Sequence, residues 1–246
     1  MANKTLNLCI DIGNTRFKIA LFEGDEVIEM ITCNKQELTP ILNKLVEIYP
    51  VKAMIVSTTR KSIPKKIRIM GSQFKNYIEL SDQTKVPINI EYRTPETLGR
   101  DRIAASVGAN FLYPGEGNIV VDAGTCVTYD YISKEGSFLG GNISPGINMR
   151  MKAMNAFTSN LPLVELQSPS GILGQSTEEA LQNGSIKGTI YEIDSFIREI
   201  ENKYGKSKVI LTGGDADYFV DYFKSKIFVV QNLVLIGLNK IIQHNA

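Results

Sequence analysis

One short pattern occurs twice in this sequence. Asp11-Ile12-Gly13-Asn14-Thr15 and Asp122-Ala123-Gly124-Thr125 each follow an apolar run and lead at once into another. A glycine at such a turn lets the chain reverse tightly and lets a bulky ligand approach the backbone. Amides and hydroxyls of Asn14, Thr15, Thr125 and Thr128 can then donate to phosphate oxygens, and the leading aspartate can hold a cation or its water shell. A polar turn explains one such hairpin equally well. Two of them, 111 residues apart in a chain of 246, favour a phosphate site closed between two repeated halves. A third stretch, Leu98-Gly99-Arg100-Asp101-Arg102, opens a predicted helix. There Asp101 reads either as a capping carboxylate or as a base that takes a proton from a hydroxyl while arginine forks onto an anionic substrate. Thr212-Gly213-Gly214-Asp215 and Gly140–Gly146 are further glycine turns, ambiguous when taken singly.

Composition excludes several other chemistries. The single histidine is His244, which rules out a Ser-His-Asp triad or a multi-histidine metal site. Cys9, Cys33 and Cys126 form no C-x-x-C pair and read as reduced thiols of a cytoplasmic protein. The polar start, Met1 to Asn7, predicts no signal peptide, and no apolar run approaches the ~20 residues of a membrane span. A net charge of +1 argues against a nucleic-acid partner. The basic cluster Arg60, Lys61, Lys65, Lys66 and Arg68 accordingly reads as the solvated face of a helix over 64–74. Gly205-Lys206-Ser207 imitates a P-loop ending, but Ile200 replaces the first glycine and the helix precedes the strand, the reverse of the required order.

The elements that must position these residues follow from periodicity. Strands are expected at 6–12, 17–22 and 26–32, a helix over 36–49, a strand at 53–57, and short strands near 78–80 and 88–92. A helix over 102–112 stops before Pro114, and Pro114-Gly115-Glu116-Gly117 marks a boundary. The plan then restarts with strands at 118–122, 126–132 and 137–139. A helix over 177–204 follows, striped by Ile186, Ile190, Ile193, Ile197 and Ile200, with Ser176 and Glu179 as a capping box. A strand at 208–211, a helix near 215–223, a strand at 227–230 and a last helix near 233–242 complete it. The class is α/β, with halves at 1–116 and 117–246.

Taken in order, Asp11–Thr15, Gly99–Arg102, Asp122–Thr125, Gly140–Gly146 and Thr212–Gly214 resemble the motifs of type III pantothenate kinases. These enzymes belong to the acetate and sugar kinase, heat-shock ATPase and actin superfamily. The resemblance spans nearly the whole chain. It implies two duplicated ribonuclease-H-like domains (an actin-like ATPase fold) with the active site in the inter-domain cleft, a homodimer, and ATP-dependent phosphorylation of pantothenate. It further implies Mg2+ with ATP and a monovalent cation, K+ or NH4+. Residue by residue, Asp11, Ile12, Gly13, Asn14, Thr15, Arg16, Phe17, Lys18 and Thr125 would bind ATP. Tyr92, Gly99, Arg100, Asp101, Arg102 and Thr177 would bind pantothenate, Asp101 would be the catalytic base, and Asp122 would hold the monovalent metal. Two positions depart from the family pattern: Ser57-Thr58-Thr59-Arg60 replaces Ser-Val-Val-Pro, and Cys126 replaces alanine.

Overall fold

A computed structural model describes residues 5–167, 171–223 and 227–246. In chain order the elements begin with β1 (Leu6–Ile12), β2 (Phe17–Glu23), β3 (Glu26–Cys33), α1 (Leu38–Ile48), β4 (Val51–Thr58) and α2 (Lys65–Gly71). Next come β5 (Asn76–Glu79), β6 (Asn89–Ile90), α3 (Arg100–Leu112), β7 (Gly117–Ala123), β8 (Cys126–Ile132) and β9 (Ser137–Pro145). The chain finishes with α4 (Ile147–Phe157), α5 (Thr177–Tyr204), β10 (Ser207–Thr212), α6 (Ala216–Phe219), β11 (Ile227–Val229) and α7 (Leu233–His244). It divides into two compact units. The first holds residues up to Gly115 with Gly136–Leu139 and Asn232–Ala246; the second holds Glu116–Glu135 and Gly140–Gln231.

In the first unit the sheet order is β3-β2-β1-β4-β5. β1, β2 and β3 form an antiparallel meander, while β4 and β5 join parallel to β1. β1 is covered on both faces, which is why it reads as a nearly continuous apolar run. Leu8, Ile10 and Ile12 pack with Leu38, Leu42 and Leu45 of α1 and Ile67 of α2. α7 covers the strands too, with Asn7 donating to Asn239 at 2.9 Å. α7 also crosses α3 at very short range. A Cβ on Gly237 would lie 1.7 Å from the Ala104 carbonyl, and one on Gly108 would lie 2.5 Å from the Leu233 carbonyl. Only glycine permits that approach. The compact unit therefore includes the last helix, whereas a plain cut at 116/117 would group it with the second half.

The second unit repeats the central plan with strands in the order β11-β10-β7-β8-β9. β7 and β8 are antiparallel, and β10 lies parallel to both β7 and β11. Ser176 Oγ accepts the Glu179 N–H at 3.2 Å, the expected cap of α5, while Glu179 Oε2 reaches back to the Gln175 N–H at 2.7 Å. The isoleucines 186, 190, 193 and 197 of α5 are buried. Two elements differ from expectation. β9 continues to Pro145, and α4 was not anticipated at all. Among α4's residues only Ile147 and Met151 are buried, so no apolar stripe announces this helix.

Candidate functional site

The two Asp-x-Gly turns stand at equivalent places. Asp11, at the end of β1, pairs with Lys18 on β2 and with Ser57 on the parallel strand β4. Asp122, at the end of β7, pairs with Thr128 on β8 and with Thr212 on the parallel strand β10. Both aspartates thus lie at the carboxyl ends of parallel strands, where α/β sheets bind ligands.

In the first unit the tip Asn14-Thr15-Arg16 is exposed, while the side chains of Ile12 and Phe17 are core. Those two residues can serve a ligand through their backbone only. The segment 58–60 is laid along the turn: the Thr58 hydroxyl and the Thr59 N–H both donate to the Ile12 carbonyl, at 3.2 and 3.3 Å. Arg60 Nε donates to the Gly13 carbonyl at 3.0 Å and Nη2 to the Asn14 carbonyl at 2.7 Å. Arg60 is therefore not part of the solvated face of α2, as its place in the basic cluster had led us to expect. The long-range bonds that it makes leave no mark in local sequence.

The same unit holds the 99–102 stretch. Asp101, in the first turn of α3, accepts the Arg102 N–H on Oδ1 at 2.9 Å. Burial pushes its carboxyl above the ordinary aspartate range, opposed by that N–H and by the Arg102 charge. Gly99 makes room for it, since a Cβ there would lie 2.6 Å from Asp101 Oδ1. Arg102 is 5% exposed, with Cζ 6.0 Å from the Tyr92 ring centre and 5.7 Å from that of Phe138. Tyr92 and Phe138 meet edge to face at 5.9 Å. Phe138 was not singled out in the sequence; it is a core residue of β9 that completes this aromatic cover. Arg100 is committed to the protein: it donates to the carbonyls of Leu98, Glu96 and Pro95 and pairs with Asp82 at 3.2 Å. What Arg100 can offer a substrate is its backbone at the helix start.

In the second unit two further glycine turns converge on the 122–126 hairpin. Gly124 N–H donates to the Cys126 carbonyl at 2.9 Å, Gly146 N–H to Thr125 at 3.1 Å, and Asp215 N–H to Ala123 at 2.9 Å. Gly213, at φ +97°, lies so close that a Cβ would fall 2.5 Å from Asp122 Oδ1; one on Gly146 would fall 2.1 Å from the Gly124 carbonyl. Burial pushes the Asp215 carboxyl up. Gly146 is held from behind by Arg150, which donates to Pro145 and Ser144 and pairs with Glu192. Burial opposes ionisation of Glu192, yet hydrogen bonds from Ser144, Arg150 and Tyr129 hold its carboxyl below the ordinary range. Thr177 stands exposed at the first position of α5, and Thr125 is exposed at its turn.

Asp122 lies in register with Thr128 and Thr212, one carboxylate between two hydroxyl residues. A protein cage for a divalent ion would use several carboxylates, and no group of three or more His, Cys, Asp or Glu comes together among the described residues.

The sequence profile of the family described as Type III pantothenate kinase matches residues 7–199. The chain belongs to that family. Among type III pantothenate kinases, that of Phocaeicola vulgatus is 44% identical over 98% of this chain and 99% of its own length. That of Flavobacterium johnsoniae is 36% identical over 96% and 97%. A conserved Baf family protein of Campylobacter jejuni, described as a transcriptional activator, superposes with TM-score 0.59 and 26% identity over 97% of this chain and 98% of its own. An activator of 2-hydroxyisocaproyl-CoA dehydratase from Clostridium difficile matches in fold alone, with TM-score 0.57 and 13% identity over 97% and 95%. The same fold recurs in a structure described as an N-acetylmannosamine kinase from Listeria monocytogenes, with TM-score 0.54 and 13% identity over 98% of this chain and 99% of its own. Among the described residues no helix is long and apolar enough to cross a membrane.

Proposed function

We propose that this chain transfers the terminal phosphoryl group of ATP to the primary hydroxyl of pantothenate, the first step of coenzyme A synthesis. The observation that carries this reading is Asp101: a half-buried carboxylate, anchored through one oxygen by the Arg102 N–H, with its basicity raised by desolvation. Such a group can receive the hydroxyl proton as the pantothenate oxygen bonds to the γ-phosphorus. The bond to the β–γ bridging oxygen then breaks, and its electron pair leaves with ADP. Phosphoryl transfer needs little base strength, because the nucleophile loses its proton late. Catalysis is mostly positioning and neutralisation of charge. Asp11–Lys18 and Thr125 serve the ATP phosphates. Tyr92, the 99–102 backbone, Arg102 and Thr177 serve pantothenate; Asp122 would hold K+ or NH4+, which would supply positive charge to offset that of the phosphates.

Residues 1–116 and 117–246 are read as duplicated ribonuclease-H-like halves, since β1-β2-β4 and β7-β8-β10 share one pairing scheme. The protein is read as a cytoplasmic homodimer with no nucleic-acid or membrane partner. Ile186, Ile190, Ile193 and Ile197 of α5 are buried against their own unit, which weighs against this helix as the dimer face. Exposed apolar Phe157, Leu163, Ile172 and Leu173 support the dimer reading; a monomer by light scattering at working concentration would remove it.

The test is ADP release from ATP with and without pantothenate, in potassium and then in sodium buffer. Pantothenate-dependent release that needs potassium or ammonium, abolished in Asp101→Asn with ATP binding kept, is the expected result. Retained turnover in that variant would remove Asp101 as the base. The likeness to a protein described as a transcriptional activator favours one second reading, a nucleotide-binding regulator. ATP binding with no product formed would select it.

A further inference from the structure

Arg60 is held in place more closely than an exposed surface arginine has any need to be. Its Nε and Nη2 donate to the consecutive carbonyls of Gly13 and Asn14 at 3.0 and 2.7 Å. Its Cζ lies 4.7 Å from the Phe17 ring centre, on the strand that leaves the same turn. Its own N–H donates to Thr58 Oγ1 at 3.1 Å, and Thr58 in turn donates to the Ile12 carbonyl at 3.2 Å. Three successive carbonyls, Ile12 to Asn14, are thereby occupied by residues 58–60.

In a trans peptide the carbonyl and the N–H of the same unit point in opposite directions. The carbonyls of Gly13 and Asn14 belong to the peptide units whose N–H groups are those of Asn14 and Thr15. A cation that fastens both carbonyls from one side therefore turns both N–H groups to the other side. It also polarises those peptides, which strengthens each N–H as a donor. We propose that Arg60 is a positioning residue of the nucleotide site, fixing from behind the turn the Asn14 and Thr15 amides that receive the phosphate chain of ATP. The inference rests on the reading of Asp11–Lys18 as the phosphate hairpin. Lysine would keep the charge but not the planar fork, whose paired N–H groups match two carbonyls one residue apart.

The experiment measures binding of MgATP, inorganic tripolyphosphate and adenosine to the full-length chain by calorimetry, for wild type, Arg60→Gln and Arg60→Lys. Removing two charge-assisted hydrogen bonds should weaken ATP and tripolyphosphate by about ten- to a hundredfold. Adenosine binding and the KM for pantothenate should stay within twofold, and Arg60→Lys should recover only a minor part of the loss. An equal loss for adenosine and ATP would mean a general disturbance and overturn the role, as would ATP affinity within twofold of wild type in folded Arg60→Gln. If Arg60→Gln does not fold, Thr58→Val removes the hydroxyl that ties Arg60 to the turn. It should weaken tripolyphosphate about threefold or more with adenosine unchanged, and unchanged tripolyphosphate binding would overturn the role. Wild type that binds no ATP would refute the phosphate hairpin itself. Wild type that binds ATP while every variant matches it would refute Arg60 alone.

Discussion

Gly99→Ala tests the placement of the base by a single methyl group. The backbone at Gly99, φ −54° and ψ 131°, is open to alanine, so no strain arises there. The added Cβ would stand 2.6 Å from Asp101 Oδ1, whereas ordinary contact begins near 3.4 Å. The carboxylate must therefore retreat by about 0.8 Å, and Arg102 Cδ at 3.3 Å narrows its path. A misplacement of ~1 Å at a reacting group costs about a hundredfold in rate. Pantothenate-dependent ADP release should accordingly fall about thirty- to a hundredfold in kcat, with the KM for ATP unchanged. Losing glycine at the N-cap costs about 1 kcal/mol or less, so the melting temperature should drop by no more than about 2–4 °C. A kcat within threefold of wild type would show that Gly99 does not set the position of Asp101.

The raised carboxyl of Asp101 also fixes a sign. The folded state holds its proton to higher pH than the unfolded state does, so ionisation of Asp101 subtracts stability as pH rises through the interval between the ordinary and the raised value. Asp101→Asn should therefore melt higher than wild type at neutral pH, lose that advantage near pH 3, and show almost no turnover; equal melting at both pH values would contradict the burial. Gly213→Ala puts a side chain at φ +97° and 2.5 Å from Asp122 Oδ1, and should raise the potassium concentration needed for half activation. An unchanged activation curve would separate that turn from the cation. Gly237→Ala places a Cβ 1.7 Å from the Ala104 carbonyl, so overpacking of about 1–3 kcal/mol should lower the melting temperature by at least a few degrees. An unchanged melting curve would mean that α3 and α7 do not cross so closely.

The strands that present Asp11 and Asp122 were legible because each is a short apolar run closed by turn residues, a local signal. The capping box of α5 and its isoleucine stripe were legible for the same reason. α4 was not, since only two of its side chains reach the core and the rest carry no period. The ion pair of Arg100 with Asp82, and the bonds of Arg60 to Gly13 and Asn14, are tertiary facts. Each spans a loop whose course the composition does not reveal. The basic cluster in particular hid Arg60, because its neighbours share its charge while its own bonds reach Gly13 and Asn14, 47 and 46 residues away. α7 was found as a helix but not its partners, which needed the close approach at Gly108 and Gly237.

That crossing carries a consequence for how the protein is made. β1, β2, β4 and α3 are synthesised early, yet α7, which covers the strands and clasps α3, leaves the ribosome only after residues 116–231 of the second unit. Throughout that interval the unit bearing Asp101 has an open apolar back, and its contacts with α7 close the longest loop in the chain. A nascent chain is thus exposed to wrong association at its N-terminal strands until α7 has been made. A stop codon before residue 233 would remove the cover of a unit begun more than two hundred residues earlier. A helix made after the second unit completes the unit begun at β1.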